Sequence, residues 1–308
     1  MAPIGTITNP SDRLDALGRS RDRAALIPEL VVEAGKIANT VISGWHGRKK
    51  RGIGENFWQY RPYAEGETLA RIDWRRSARG DETFVRDLEW EAAHTVWIWC
   101  DQSPSMLYKS KNARISKEHR AMVLAFSMAE LLSRAGERVG YPGLLKPVMS
   151  RHGAERLAGA LSASNAADIS GAKRPALESI QRFSDLVVIS DFLDPVSETE
   201  ELIDAIAARG TRAHFIEVID PAEEVFPYSG RVEFTDPETG QKLTAGKAQE
   251  WTDDYRNMMV ARREMLASHC RRLGWSFSVS HTDVAATDAL LNTYAHMSGN
   301  VADDTRRG

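Results

Sequence analysis

A run of apolar residues, Val96 to Cys100, stops at Asp101, and two hydroxyls follow at alternate positions, Ser103 and Ser105, in the segment VWIWCDQSPSM. Apolar residues that do not alternate with polar ones mark a strand covered on both faces, as parallel sheets require. In such sheets, sites form just beyond the carboxyl ends of the strands. One carboxylate and two hydroxyls there offer hard oxygens, which suit Mg²⁺ or Mn²⁺ better than a soft metal. The same residues also make good helix caps, the plainer role for Asp101 and Ser103. The pattern recurs downstream, where Leu186 to Ile189 (LVVI) leads into Ser190, Asp191 and Phe192. Neighbouring strands lie about 5 Å apart, so Asp101 and Asp191 are expected to face each other across a cation, since two such carboxylates otherwise repel. Capping of the next helix is the alternative for Asp191.

Composition narrows the class of protein. Of 308 residues, 42% are hydrophobic and 27% charged, which is ordinary for a water-exposed globular chain. A net charge of -3 provides no field to attract nucleic acid or an anionic membrane. Cys100 falls in an apolar strand and Cys270 in a charged helix, so both read as reduced thiols rather than a disulfide framework. The first residues, MAPIGTITNPSDRLDALGRSRDR, contain no apolar signal region, and the most apolar helix, Met122 to Leu132, is short and carries Glu130. The expected compartment is the cytoplasm, with no membrane partner.

Along the chain, residues 1–23 are polar and expected to be mobile. Apolar residues at helical spacing from Ala24 to Ile42 predict an amphipathic helix that ends at Ser43-Gly44. The stretch 45–91 is dense in arginine and aromatic residues, and acids are nearly as frequent. This favours an internal ion-pair ladder through Arg71, Asp73, Arg75, Arg76 and Arg79, docking the segment onto the main domain, over base stacking on nucleic acid. From residue 92 to 297 predicted strands and helices alternate, the signature of an α/β fold with a mostly parallel sheet. The predicted helices include 154–161, 175–183, 198–209, 250–273 and 285–296. Asp236-Pro237-Glu238-Thr239-Gly240 predicts a hairpin near 230–245, and residues 298–308 are expected to form a mobile tail.

Asp-x-Ser-x-Ser at one strand end with an Asp at a later one looks like the metal-ion-dependent adhesion site of von Willebrand factor A domains. RPYAEGETLARIDWRRSAR, then FVRDLEWEAAHTVWIWCDQSPSM, then IDPAEEVFP and GRVEFTDPETGQ, resembles domain-of-unknown-function family 58 over roughly residues 24–297. The resemblance implies a three-layer, Rossmann-like α/β domain of von Willebrand factor A type. It implies Asp101, Ser103 and Ser105 as ligands of Mg²⁺ or Mn²⁺ and Asp191 as a fourth contact. More loosely, it implies work beside a MoxR-type AAA+ ATPase as a chaperone-like or maturation accessory protein. Two departures stand out. Gly66-Glu67 replaces the family's Gly-Asp, keeping the charge. Adhesion-type sites also take a threonine from a loop that here reads SASNAADISGAKRP, with Ala167 in its place and Asp168 or Ser170 as substitutes, which implies a weak or vestigial metal site.

The expected function is therefore a non-catalytic, metal-dependent module that binds a partner's acidic side chain. A metal-dependent hydrolase or phosphotransferase is the rival, because Mg²⁺ beside carboxylates also positions phosphates. It requires a general base, and the histidines fall in unrelated predicted elements. There is no G-x-x-x-x-G-K-[ST] phosphate loop. A scaffold with a degenerate metal site is the third reading.

Overall fold

The computed structural model describes residues 10–46, 57–63, 72–80, 82–88, 93–111, 113–164, 173–237 and 239–304. The chain divides into a larger unit, residues 1–43 and 94–308, and a smaller one, residues 44–93.

The smaller unit is built on an antiparallel pair, β1 (Phe57–Pro62) and β2 (Phe84–Leu88), with a register shift between Phe57 and Gln59. A single helical turn, α2 (Trp74–Ser77), precedes β2. Asp73 caps it, accepting from the Arg76 backbone N–H at 3.0 Å, and the Arg76 guanidinium sits over the Phe84 ring, 5.5 Å from its centre. Asp73 of the expected ion-pair ladder is thus a helix cap, and Arg71 lies outside the described residues.

The larger unit is a mixed α/β layer structure around one six-stranded sheet. Its strands are β3 (Thr95–Cys100), β4 (Arg138–Tyr141), β5 (Leu145–Met149), β6 (Asp185–Ser190), β7 (Arg212–Ile219) and β10 (Ser276–His281). Their order is β10-β7-β6-β3-β4-β5, and all neighbours are parallel except β4 and β5. The layout is Rossmann-like. The first strand, β3, lies inside the sheet, with the chain building first to one side (β4, β5) and then to the other (β6, β7, β10). The boundary between β3 and β6 is therefore a topological switch point, where crossovers diverge and open a crevice at the carboxyl ends of the strands.

Helix α3 (Lys117–Arg134) explains why β3 and β6 carry no polar alternation. It lies across the middle of the sheet and is itself buried nearly all round. Its outer side is covered by α1 (Pro10–His46), whose Ile27, Leu30, Ala34, Ala38 and Val41 are buried at intervals of three or four residues. Burial of each large aliphatic side chain in this stack contributes about 1.5–3 kcal/mol. Helices α4 (Gly153–Ala163), α5 (Val196–Ala208), α7 (Thr252–Leu273) and α8 (Thr287–Asp304) complete the flanking layers. A short α6 (Pro221–Val225) follows β7. The hairpin β8 (Val232–Thr235) and β9 (Lys242–Ala245) closes its own small core around Phe226, Ala245 and Ala248.

Three expected boundaries are corrected. Helix α1 starts at Pro10, not Ala24, because its first turns are rich in Leu, Ala and Arg, which favour helix by intrinsic propensity rather than by an apolar repeat. Helix α8 likewise continues to Asp304, through residues taken as tail. The helix expected over 175–183 shrinks to a 3₁₀ turn, Leu177–Ser179. The Ser179 hydroxyl donates to the Ala176 carbonyl (2.7 Å) and accepts from the Gly143 N–H (3.0 Å), local bonds that compete with helix. No helix among the described residues is long and apolar enough to cross a membrane.

Candidate functional site

Asp101 and Asp191 leave adjacent strands at the switch point, Asp101 directly after β3 and Asp191 directly after β6. The sheet ladder continues into the site, since the Asp101 N–H donates to the Ile189 carbonyl at 2.8 Å. The chain then turns sharply: the Ser103 N–H donates to Asp101 Oδ1 (2.8 Å), an Asx turn that brings both serines back under the strand end. Ser190 Oγ donates to Asp101 Oδ2 at 2.7 Å. Both oxygens of this buried carboxylate thus accept from neutral donors. Burial, followed by the charge of Asp191, pushes the Asp101 carboxyl up to about 6.

The two serines connect one acid to the other. Ser103 Oγ and Ser105 Oγ are 3.1 Å apart, and Ser105 Oγ donates to Asp191 Oδ2 at 2.9 Å. Asp101, Ser103 and Asp191 are buried and Ser105 is half-buried, so Ser105 marks the outer side of the cluster. Asp191 Oδ1 accepts from the Leu193 N–H at 3.2 Å. Between them Phe192 takes a left-handed conformation, φ 50°, unusual for a residue with a Cβ. It is fixed by its ring against Phe215, 5.3 Å between centres, and by Arg262, which donates to its carbonyl at 2.7 Å.

A cation already sits in the cluster. Lys117, fully buried at the first position of α3, donates to Asp191 Oδ2 (2.8 Å) and to Glu223 Oε1 (2.6 Å), and lies over the Tyr108 ring, 5.7 Å from its centre. Burial pulls its ammonium down, but Asp191 and Glu223 more than offset this, so it is held above the ordinary lysine range. Glu223 belongs to a capping box on α6: its Oε2 accepts from the Asp220 N–H (3.1 Å), while Asp220 Oδ1 accepts from the Ala222 N–H (2.9 Å). Asp220 Oδ2 accepts from the Ser110 N–H at 2.9 Å, tying α6 to the loop that follows the serines.

Of the expected site residues, Ser103, Ser105 and Asp191 form one hydrogen-bonded chain, and Asp101 joins it through the Ser103 backbone. Asp168, with Ala167 and Ser170, lies outside the described residues. Sequence reasoning missed Lys117 and Glu223. The capping box Asp220-Pro221-Ala222-Glu223 was a readable signal for one. For the other, the hint was a lysine in a helix first turn, where the helix dipole disfavours a cation.

The donor chemistry fits a hard divalent ion at Asp101, Ser103 and Ser105: three oxygens, one of them on a buried carboxylate whose charge meets neutral donors. At Asp191 the fit is contested, because Lys117 occupies Oδ2. Among the described residues no three His, Cys, Asp or Glu side chains form a group able to hold a metal, so any ion here depends on the hydroxyls.

The described imidazoles bond elsewhere. His119 pairs with Glu33 (3.2 Å) and His281 with Glu224 (2.7 Å). His94 pairs with Asp185 (3.1 Å), where His214 also approaches, at the opposite end of the sheet. There burial raises the Asp185 carboxyl, and the neighbouring His214 and His94 imidazoles overcome it, holding it below the usual carboxylate range. Both thiols are buried, and burial pushes Cys100 and Cys270 up to about 12, which leaves them poor nucleophiles.

Comparison with known proteins identifies the family of the chain. Uncharacterized proteins of Mycobacterium bovis and Mycobacterium tuberculosis are each 26% identical to the chain over 273 residues, covering 84% of it and 85% of their own length. The crystal structure of a conserved hypothetical protein BatB from Bacteroides thetaiotaomicron aligns with a TM-score of 0.41 at 16% identity, over 67% of this chain and 100% of that one. An aerotolerance-related membrane protein from Bacteroides fragilis aligns with a TM-score of 0.38 at 13% identity, over the same shares. Residues 59–265 match the family described as "Protein of unknown function DUF58", more than half of the chain, and the protein belongs to that family.

Proposed function

We propose that this protein is a cation-dependent protein-binding module of von Willebrand factor A type, whose site is the Asp101, Ser103, Ser105 and Asp191 cluster. The observation that carries the reading is the Asp101 carboxylate: buried, faced by the charge of Asp191, and bonded through both oxygens to neutral donors. A buried charge is costly without a counter-charge, and the hydroxyls of Ser103 and Ser105 are oriented alongside it as further oxygen donors. Asp101, Ser103 and Ser105 would hold Mg²⁺ or Mn²⁺, which supplies an open coordination position for a carboxylate of the partner. The hydrogen bonds from the Ser103 N–H and from Ser190 fix the Asp101 rotamer. Half-buried Ser105 forms the rim that the partner meets.

The partner in this reading is a MoxR-type AAA+ ATPase, by resemblance to the DUF58 pattern, with the protein acting as a maturation accessory in the cytoplasm. The chemistry asked of it is recognition, since the described imidazoles are engaged away from the cluster and none is positioned as a general base. The test is the affinity for such an ATPase measured with Mg²⁺, with a chelator, and with Asp101→Ala. Chelation and the substitution are each expected to weaken binding far more than added salt, which screens only exposed charge. Equal affinity in all three conditions overturns the reading. Phosphatase activity lost in Asp101→Ala establishes a hydrolase instead.

A further inference from the structure

Lys117 is the feature of the cluster that recognition alone does not explain. Its ammonium is fully buried, and it occupies the same Asp191 oxygen that accepts the Ser105 hydroxyl. Only that carboxylate oxygen therefore lies between its charge and Ser105 Oγ, itself an oxygen of the candidate ion site. Its position is costly in itself, because the N-terminal turn of α3 carries the positive end of the helix dipole. Two acids from different elements, Asp191 after β6 and Glu223 on α6, converge to hold it there. A helix start that needed only a cap already has one: Ser116 accepts from the His119 N–H at 3.2 Å.

We propose that Lys117 is a tethered cation that sets the divalent-ion affinity of the Asp101, Ser103 and Ser105 site, by claiming the charge of Asp191 and repelling a second cation. The proposal rests on the cation-dependent reading above. It makes Lys117 a specificity-determining residue. With the ammonium in place the site takes a divalent ion weakly, and a partner's acidic side chain that draws Lys117 away from Asp191 strengthens the ion's hold. Partner and cation then bind cooperatively, each raising the affinity for the other by the same factor.

The experiment is a Mn²⁺ titration of the full chain, free Mn²⁺ being read by electron paramagnetic resonance, for wild type, Lys117→Met and Lys117→Met/Asp101→Ala. Removing a fixed positive charge this close to an ion site is expected to tighten Mn²⁺ binding about tenfold or more, and the gain should vanish in the double variant. If Lys117→Met does not fold in chelator, Lys117→Met/Glu223→Gln carries the same comparison with one fewer unpaired acid. Wild type and Lys117→Met binding Mn²⁺ equally leaves the cation-dependent reading standing and overturns this proposal. Binding by Lys117→Met alone, lost again in the double variant, upholds the proposal, the wild-type site then being too weak to fill without a partner; a gain that survives Asp101→Ala overturns it. Absence of binding in both overturns both.

Discussion

The charge on Asp101 gives a pH dependence whose sign is fixed by its surroundings. Burial and the charge of Asp191 raise its carboxyl from an ordinary 3.8 to about 6 in the folded protein. Lys117 bonds to Asp191 rather than to Asp101. Across that window the folded chain holds a proton that the unfolded chain has released, and stability falls as pH rises, by roughly 3 kcal/mol on completion. Asp101→Asn removes the cost while keeping an oxygen for the Ser103 N–H, and the Ser190 hydroxyl can rotate to accept from the amide. In chelator, urea denaturation is expected to find Asp101→Asn more stable than wild type by about 1–3 kcal/mol at pH 7.5, with no advantage at pH 4. A variant that is less stable at both values places the strain elsewhere. At this scale the sequence was half legible. Asp101 and Asp191 stood out because each ends an apolar run. Lys117 did not, since its role depends on two acids 74 and 106 positions away.

Among the elements, α3 and α4 test how tightly the layers are set. Gly153 opens α4 against α3, and a Cβ built there would overlap the Ser133 hydroxyl and the Ala129 carbonyl. Backbone cannot yield as a flexible side-chain end does, so Gly153→Ala is expected to cost about 1–3 kcal/mol or more. Chemical denaturation of that variant, beside Gly159→Ala as a control with open space around its Cβ, checks it. Equal stability of the two would show that the helices can separate without penalty. Strands β3 and β6 were readable from composition alone, since only a covered strand tolerates TVWIWC and DLVVIS. The 3₁₀ turn at Leu177–Ser179 was not, because its deciding bonds reach from Ser179 to Gly143 in another element. The β1–β2 pair was hidden by aromatic and arginine residues that follow neither a period of two nor one of 3.6.

For the whole molecule, sheet order determines where the chemistry can sit. Because β3 and β6 are neighbours whose crossovers diverge, two acids far apart in sequence meet at one crevice. The alternation of strand and helix predicted a mostly parallel sheet, but this neighbour relation follows from packing of α3 across β3, β4, β6 and β7 rather than from any local motif. In the proposed function this crevice holds a divalent cation. The most direct measurement is a crystal structure of the full chain in Mn²⁺, with data collected for manganese anomalous scattering. One anomalous peak is expected within about 2.0–2.6 Å of oxygens of Asp101, Ser103 and Ser105, absent from Asp101→Ala crystals. Crystals that show no peak there, with Lys117 Nζ still seated on Asp191 at saturating Mn²⁺, would contradict it.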